Sequence, residues 1–448
     1  MSFPKNFAWG VATASYQIEG AVREGGRGSS VWDDFTRAGR SWERQTGDVA
    51  CDHYHRYRED VALMREFGLG AYRFSVAWPR IQPDGRGAVN EQGLDFYDRL
   101  VDELLTAGVA PWATLYHWDL PSALQARGGW LNPDLPDHFA EYAAVVGARL
   151  SDRVAHWMTL NEPQCFIGLG LHTGEHAPGL NLSRADALQA GHHALLAHGR
   201  AVQALRAHAA QPLKIGYAPV GVGAIPASES PEDIEAARRW TFEVRDDLWN
   251  NAWWADPVCL GHYPEAGLER YGADAPRVAD GDLEVISEPV DFYGVNLYHG
   301  QTFRAGPGGV PEKVPSPPGH PQTAYDWKLT PEVMRWAPRF YHERYGLPVV
   351  ITENGMTGLD WVSLDGRVED PQRIDYTRRY LRELRRAAED GVPLEGYFHW
   401  TWTDNFEWAQ GHRLRFGLVH VDFETQKRTP KASAAWYRDV IASNGAEL

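Results

Sequence analysis

The sequence predicts an α/β protein: a single (β/α)8 TIM barrel over residues 1–448, with long loops at the C-terminal face of its strands. Three observations point there. Eight short apolar runs follow one another along the chain, and amphipathic runs of helical period lie between them. Two glutamates, Glu162 and Glu353, stand at the ends of two apolar runs, each beside an asparagine. Strands alternating with helices pair in parallel through crossovers. Eight such units favour a closed barrel over an open sheet.

The strands are expected, in order, in "FAWGVAT", "AYRFSVAW", "APWATLYH", "VAHWMTL", "LKIGYAP", "DFYGVNLY", "PVVITEN" and "LEGYFHW". Most are bounded by glycine, proline or a charged turn, and all are too short for helices. The run "HRYREDVALMREFG" has apolar Val61, Leu63, Met64 and Phe67, then stops at Gly68, as a helix C-terminus does. "LDFYDRLVDELLTAG" repeats the design with Phe96, Leu100, Leu104, Leu105 and then Gly108. "DALQAGHHALLAHGRAVQALRAH" and "RIDYTRRYLRELRRAAEDG" are further helices. The stretch from Arg304 to Trp327 holds "GPGGVPEKVPSPPGHP" and reads as irregular. Such a tract can be a domain linker. Strand and helix signals resume directly after it, so a long loop on the barrel's working face is expected.

The 448 residues carry 44 Lys and Arg against 60 Asp and Glu, a net charge of −16. That balance weighs against nucleic acid or an anionic membrane as partner, since both need a basic face. Nineteen tryptophans are present, and "YHWDLP", "HWTWTDNFEW" and "NNAWWADP" set them beside polar groups. Such rings suit a ligand with apolar faces and a hydroxyl rim, such as a sugar; core packing is the alternative. Three cysteines give neither a disulfide framework nor zinc spacing. "MSFPKNFAWG" lacks the basic and apolar regions of a signal peptide, and no apolar run reaches ~18 residues. A cytoplasmic location is expected, where the formal glycosylation acceptor Asn181 has no use. Oligomeric state is left open.

Chemistry in such a barrel sits at the C-terminal ends of the strands. Glu162 ends the fourth run and Glu353 the seventh. The same bowl receives Arg73, His117, Trp118, Asn296, Tyr298 and Trp400. Two glutamates facing one pocket suit general acid/base or covalent glycosyl chemistry. Two salt-bridged structural carboxylates are the alternative. His53 and His55 form an H-x-H pattern, but they open a helix, where i and i+2 do not share a face. His192 and His193 fail likewise. No metal is expected, and without a G-x-G-x-x-G after a strand no nucleotide cofactor either.

The chain resembles glycoside hydrolase family 1, the β-glucosidase family, over nearly its whole length. The matching stretches are "FAWGVATASYQIEGA", "YRFSVAWPRI", "TLYHWDLP", "TLNEP", "HAPG", "ITENG" and "DNFEWAQGHRLRFGLVHVDF". The resemblance implies a cofactor-free retaining β-glucosidase, with Glu162 as acid/base and Glu353 as nucleophile. It implies sugar contacts at Gln17, His117, Asn161, Trp400, Glu407 and Trp408, and places Arg73, Asn296 and Tyr298 beside the nucleophile. Trp327 falls on the leaving-group side. Two cis peptides, Ala177–Pro178 and Trp400–Thr401, are also implied. Physical reasoning adds that Arg73 and Tyr298 should hold the pKa of Glu353 down, while burial and like charge raise that of Glu162.

Relatives with other roles provide tests. Myrosinase-like members lack the acid/base glutamate and Klotho-like receptors have lost a catalytic one, whereas both glutamates stand here. Phospho-β-glycosidases replace the "EW" pair. Here Glu407 and Trp408 remain, so an unphosphorylated β-glycoside such as cellobiose or an aryl β-glucoside is the expected substrate, with galactosides and fucosides tolerated. A non-catalytic sugar-binding protein is the competing class.

Overall fold

The computed structural model describes residues 2–448. Eight parallel strands close into a barrel: β1 (Ala8–Ala12), β2 (Ala71–Ser75), β3 (Ala110–Tyr116), β4 (His156–Asn161), β5 (Lys214–Ala218), β6 (Phe292–Asn296), β7 (Val349–Asn354) and β8 (Leu394–Trp400). Each pairs with its neighbours in sequence, and β8 returns to β1 with Ala8 opposite Gly396 and Ala12 opposite Trp400. All eight fall on the predicted runs. Their residues are almost entirely buried, because helices cover the outside and side chains fill the inside.

Crossover helices are α1 (His53–Glu66), α2 (Glu91–Thr106), α3 (Leu135–Leu150), α4 (Arg184–His208), α5 (Val333–Tyr345) and α6 (Pro371–Glu389), with α7 (Ala432–Ala442) after β8. Between β5 and β6 the path breaks into four α-helices and a short 3-10 helix. In α2, Leu94, Phe96, Tyr97, Leu100, Val101 and Leu104 form one buried face. Leu105 is 42% exposed, since one residue further turns the side chain by about 100°. The helix stops where Gly108 takes φ 77°, a conformation that suits glycine at this position. Among the described residues no helix is long and apolar enough to cross a membrane.

The predicted irregular stretch from Arg304 is partly ordered. Strand Gly300–Ala305 pairs antiparallel with Pro311–Val314, so Arg304 faces Glu312 across a hairpin, with an ion pair of 2.9 Å. The "GPGGV" segment is its turn. Only the remainder lacks regular structure, and it carries Tyr325 and Trp327 to the barrel mouth.

Beneath the loops after β7 and β8 lies a buried ionic cluster. Lys431, 1% exposed, donates to Asp360 at 2.5 Å and Asp404 at 2.7 Å. Arg373 reaches Asp360 and Asp370, and Arg415 reaches Asp404. These cations hold Asp404 below the ordinary carboxylate range despite its burial. Asp404 also accepts from the backbone N–H of Gly417, which fixes the segment leading to Glu407. Removing one partner of a buried cluster strands the others. Lys431→Met is therefore expected to cost about 3–5 kcal/mol, read as a lowered denaturant midpoint against the parent protein.

Candidate active site

Both glutamates sit where their strands lose regular register. Pairing shifts between Met158 and Asn161 on β4 and between Ile351 and Glu353 on β7. Such irregularities re-aim side chains at a barrel rim. Glu162 takes φ 49°, while its N–H donates to the Ala218 carbonyl at 2.9 Å. Trp118 and Trp408, also at this mouth, have φ 75° and 51°. Non-glycine residues persist in such conformations where the surroundings hold them, and these cluster at functional sites. After Pro163 a π-helical segment, Gln164–His172, runs along the pocket.

The side chains interlock around Asn161, Arg73 and Asn296. Arg73 donates to Glu353 Oε1 at 2.6 Å, to the Thr352 carbonyl at 3.0 Å, to Asn161 Oδ1 at 2.7 Å and to Thr114 at 3.1 Å. The Tyr298 hydroxyl donates to Glu353 Oε2 at 2.7 Å. Asn296 Nδ2 donates to Asn161 Oδ1 at 2.9 Å and Glu162 Oε1 at 2.8 Å. Thr352 fixes that amide by donating to Asn296 Oδ1 at 2.6 Å. With Asn161 Oδ1 accepting twice, its Nδ2 donates to His117 Nε2 at 3.0 Å. His117 must then carry its proton on Nδ1, which has no protein partner. Burial and Arg73 hold that imidazole well below its usual pKa, so it is neutral.

Electrostatics separate the two glutamates. Glu162 is pushed up to about 8, by burial first and then by the charge of Glu353. Its partners are an amide and the Cys165 thiol, which donates to Oε2 at 3.1 Å. Glu353 has a guanidinium and a phenol instead. Both lower it as expected, yet burial outweighs them and it also lies above the ordinary carboxylate range. The sequence-based expectation of a depressed pKa is corrected in that respect. The cation still makes Glu353 the member of the coupled pair that ionises first.

A cavity of about 650 Å³ opens on both carboxyls, a size typical of small-molecule sites. Of the predicted residues, His117, Trp118, Glu162, Asn296, Tyr298, Trp327, Glu353, Trp400, Glu407 and Trp408 line it. Gln17, Asn161 and Arg73 stand behind them. Gln17 Nε2 donates to Glu407 Oε2 at 3.2 Å and to the Phe406 carbonyl at 3.0 Å, leaving its Oε1 without a partner. Glu407 is raised to about 8 by burial and by Glu353. His117 stacks on Trp400 and on Trp408, with centroids 5.7 and 5.8 Å apart. On another wall Trp327 stacks with Tyr325 at 4.7 Å and meets Tyr298 at 5.0 Å.

The two flanking asparagines differ. Asn161 belongs to the polar web, whereas Asn354 ties β6 to β8: it donates to the Leu297 carbonyl and accepts from Tyr397. Gly355 is needed next because a Cβ there would lie 1.9 Å from the Trp400 carbonyl. Both expected cis peptides, Ala177–Pro178 and Trp400–Thr401, are present. His53 and His55 do not converge: His53 bonds Asp60, and His55 bonds Asp52 and Glu24. Sequence reading missed Cys165, Leu169, Glu175, Val222, Trp249 and Tyr325 in the lining. Cys165 reaches Glu162 from the start of the helical segment, where its N–H also donates to the Glu162 carbonyl at 2.9 Å.

A parallel barrel with paired buried carboxyls and aromatic walls at its mouth is the architecture of a carbohydrate-active enzyme. The chain belongs to glycosyl hydrolase family 1, whose family model matches residues 1–446. It is 45% identical to Beta-glucosidase A of Thermotoga maritima, over 99% of each chain. It is 42% identical to the aryl-phospho-beta-D-glucosidase BglC of Bacillus subtilis, covering 100% of this chain and 98% of that protein. It is 41% identical to a bifunctional beta-D-glucosidase/beta-D-fucosidase of Bifidobacterium breve, covering 100% and 99%. The solved Thermotoga maritima beta-glucosidase in complex with glucoimidazole superposes with a TM-score of 0.90 at 44% identity, covering 99% of both chains.

Proposed function

We propose that the protein is a retaining β-glucosidase, a single catalytic barrel over residues 1–448 that hydrolyses terminal β-D-glucosyl residues of cellobiose or aryl β-glucosides. The carrying observation is the unequal environment of two buried carboxyls in one pocket: Arg73 and Tyr298 on Glu353, an amide and a thiol on Glu162. Glu162, raised to about 8, starts protonated and gives that proton to the glycosidic oxygen. Glu353 attacks the anomeric carbon as the bond to the aglycone breaks, forming a glycosyl ester. Esterification removes the Glu353 charge that held Glu162 up, so Glu162 then ionises more readily. It takes a proton from water, which attacks from the same face and releases Glu353. The β configuration is kept. No cofactor takes part, and a cytoplasmic role in using cellulose fragments fits this chemistry. Release of nitrophenol from its β-glucoside, with β-glucose as first-formed anomer by NMR, tests the reading; α-glucose first would overturn it.

Glu407 and Gln17 are the proposed readers of the sugar's outer hydroxyls. With its carboxyl raised to about 8, Glu407 can donate one hydrogen bond and accept others. A sugar 6-phosphate is disfavoured less by a standing Glu407 charge than by the lining, which contains no lysine or arginine to balance it. A lost hydrogen bond to a buried hydroxyl costs about 1–3 kcal/mol. Glu407→Ala is thus expected to lower kcat/KM on a glucoside about tenfold to a hundredfold more than on a fucoside, which lacks the 6-hydroxyl. Equal losses would remove Glu407 from that position.

A further inference from the structure

Besides the two glutamates, the cavity is lined by Leu169, Val222, Trp249, Tyr325 and Trp327. Glu175 also lines the cavity and is itself exposed. The turn that presents it is fastened on both sides. Arg40 donates to the Gly174 carbonyl at 2.8 Å and the Gly179 carbonyl at 2.9 Å, and the His176 N–H donates to the Leu169 carbonyl at 3.0 Å. The Glu175 carboxylate itself has no hydrogen-bond or ion-pair partner among the described residues. An anchored turn carrying an unpaired carboxylate is a fixed source of negative potential.

Nothing in the lining offsets it. No lysine or arginine faces the cavity. The lining histidines His117, His176 and His299 are all lowered by burial, His176 to about 4, and so stay neutral. Arg413 acts on Tyr325 from outside the lining and is held over the Trp42 ring at 4.2 Å. An incoming aglycone therefore meets aromatic and aliphatic walls whose ionisable acids are all carboxyl, thiol or phenol groups, while Arg40, outside the lining, is engaged by the backbone carbonyls of the turn and makes no ion pair with Glu175.

We propose that Glu175 is a specificity-determining residue that biases the aglycone half of the pocket toward neutral and cationic aglycones and against anionic ones. The inference rests on the glucosidase reading for its substrate class, but its readout does not need turnover. Non-hydrolysed aryl 1-thio-β-glucosides bearing a trimethylammonium, a neutral or a carboxylate substituent would be titrated by calorimetry at low salt. The cationic ligand is expected to bind about threefold to tenfold tighter than the anionic one, as for unit charges several ångströms apart in a solvated mouth. The ratio should approach unity in Glu175→Gln, invert in Glu175→Lys, and shrink in the parent protein near 1 M salt, where the Debye length is about 3 Å. A ratio unchanged in both variants would overturn the inference. Turnover of neutral nitrophenyl β-glucoside, measured alongside, reports on the glucosidase reading separately.

Discussion

Glu353→Gly is expected to lose hydrolysis of every β-glucoside, by roughly the factor of 10⁵ or more that removal of a covalent nucleophile costs. The size follows from the two-step route: without that carboxylate no glycosyl ester forms, and nothing else in the lining can replace it. Tyr298 is held far above its usual pKa by burial and the neighbouring carboxylates, so its oxygen stays a donor. Glycine leaves a space beside Arg73, and Arg73 loses the anion it bonds at 2.6 Å. A small anion such as azide fits both the space and the charge. Azide should therefore restore reaction on aryl glucosides with good leaving groups, attacking from the face Glu353 occupied and giving the α-glycosyl azide. Chromatography and NMR of the product check this. A β-azide would mean that Glu353 is not the nucleophile.

The barrel was legible because each strand run is short, apolar and followed by a helical period, so local pattern and global fold agree. The C-terminal ends of β4 and β7 were placed to within a residue, and that placement alone brought Glu162 and Glu353 to one rim. Arg73 and Tyr298 beside Glu353 came from the resemblance; the web through Asn161 and Asn296 could not be read from spacing, since it joins β2, β4 and β6. Other features had no local signal. The hairpin after β6 was hidden by its glycines and prolines, which serve as its turn. Val222, Trp249 and Tyr325 reach the pocket from loops whose course depends on tertiary packing. The net direction of the Glu353 shift was missed for a different reason. Its partners can be named from sequence, but the burial opposing them is set by the whole mouth.

Glu162→Gly should fail in a different way, and the difference separates the two roles. A dinitrophenolate leaving group needs little protonation, so the first step should survive on that substrate. The second step needs a base for water, and His117 is a poor substitute: its one lone pair, on Nε2, is engaged by Asn161, and burial keeps its basicity low. The glycosyl ester should accumulate after a burst of phenolate, visible as a mass increase of the intact protein. On glucosides with poor leaving groups the first step also slows, by about 10²–10⁴-fold for loss of a general acid. The pH profile should move as well. In the parent protein kcat/KM is expected to fall as pH rises through about 8, where Glu162 would give up the proton it is proposed to donate. The variant has no such proton, so the alkaline limb on the dinitrophenyl substrate should vanish, while the acid limb from protonation of Glu353 remains. Azide, needing no base, should release the ester from the β face as the β-glycosyl azide. An unchanged alkaline limb in the variant, or an α-azide product, would assign the acid/base role to another group.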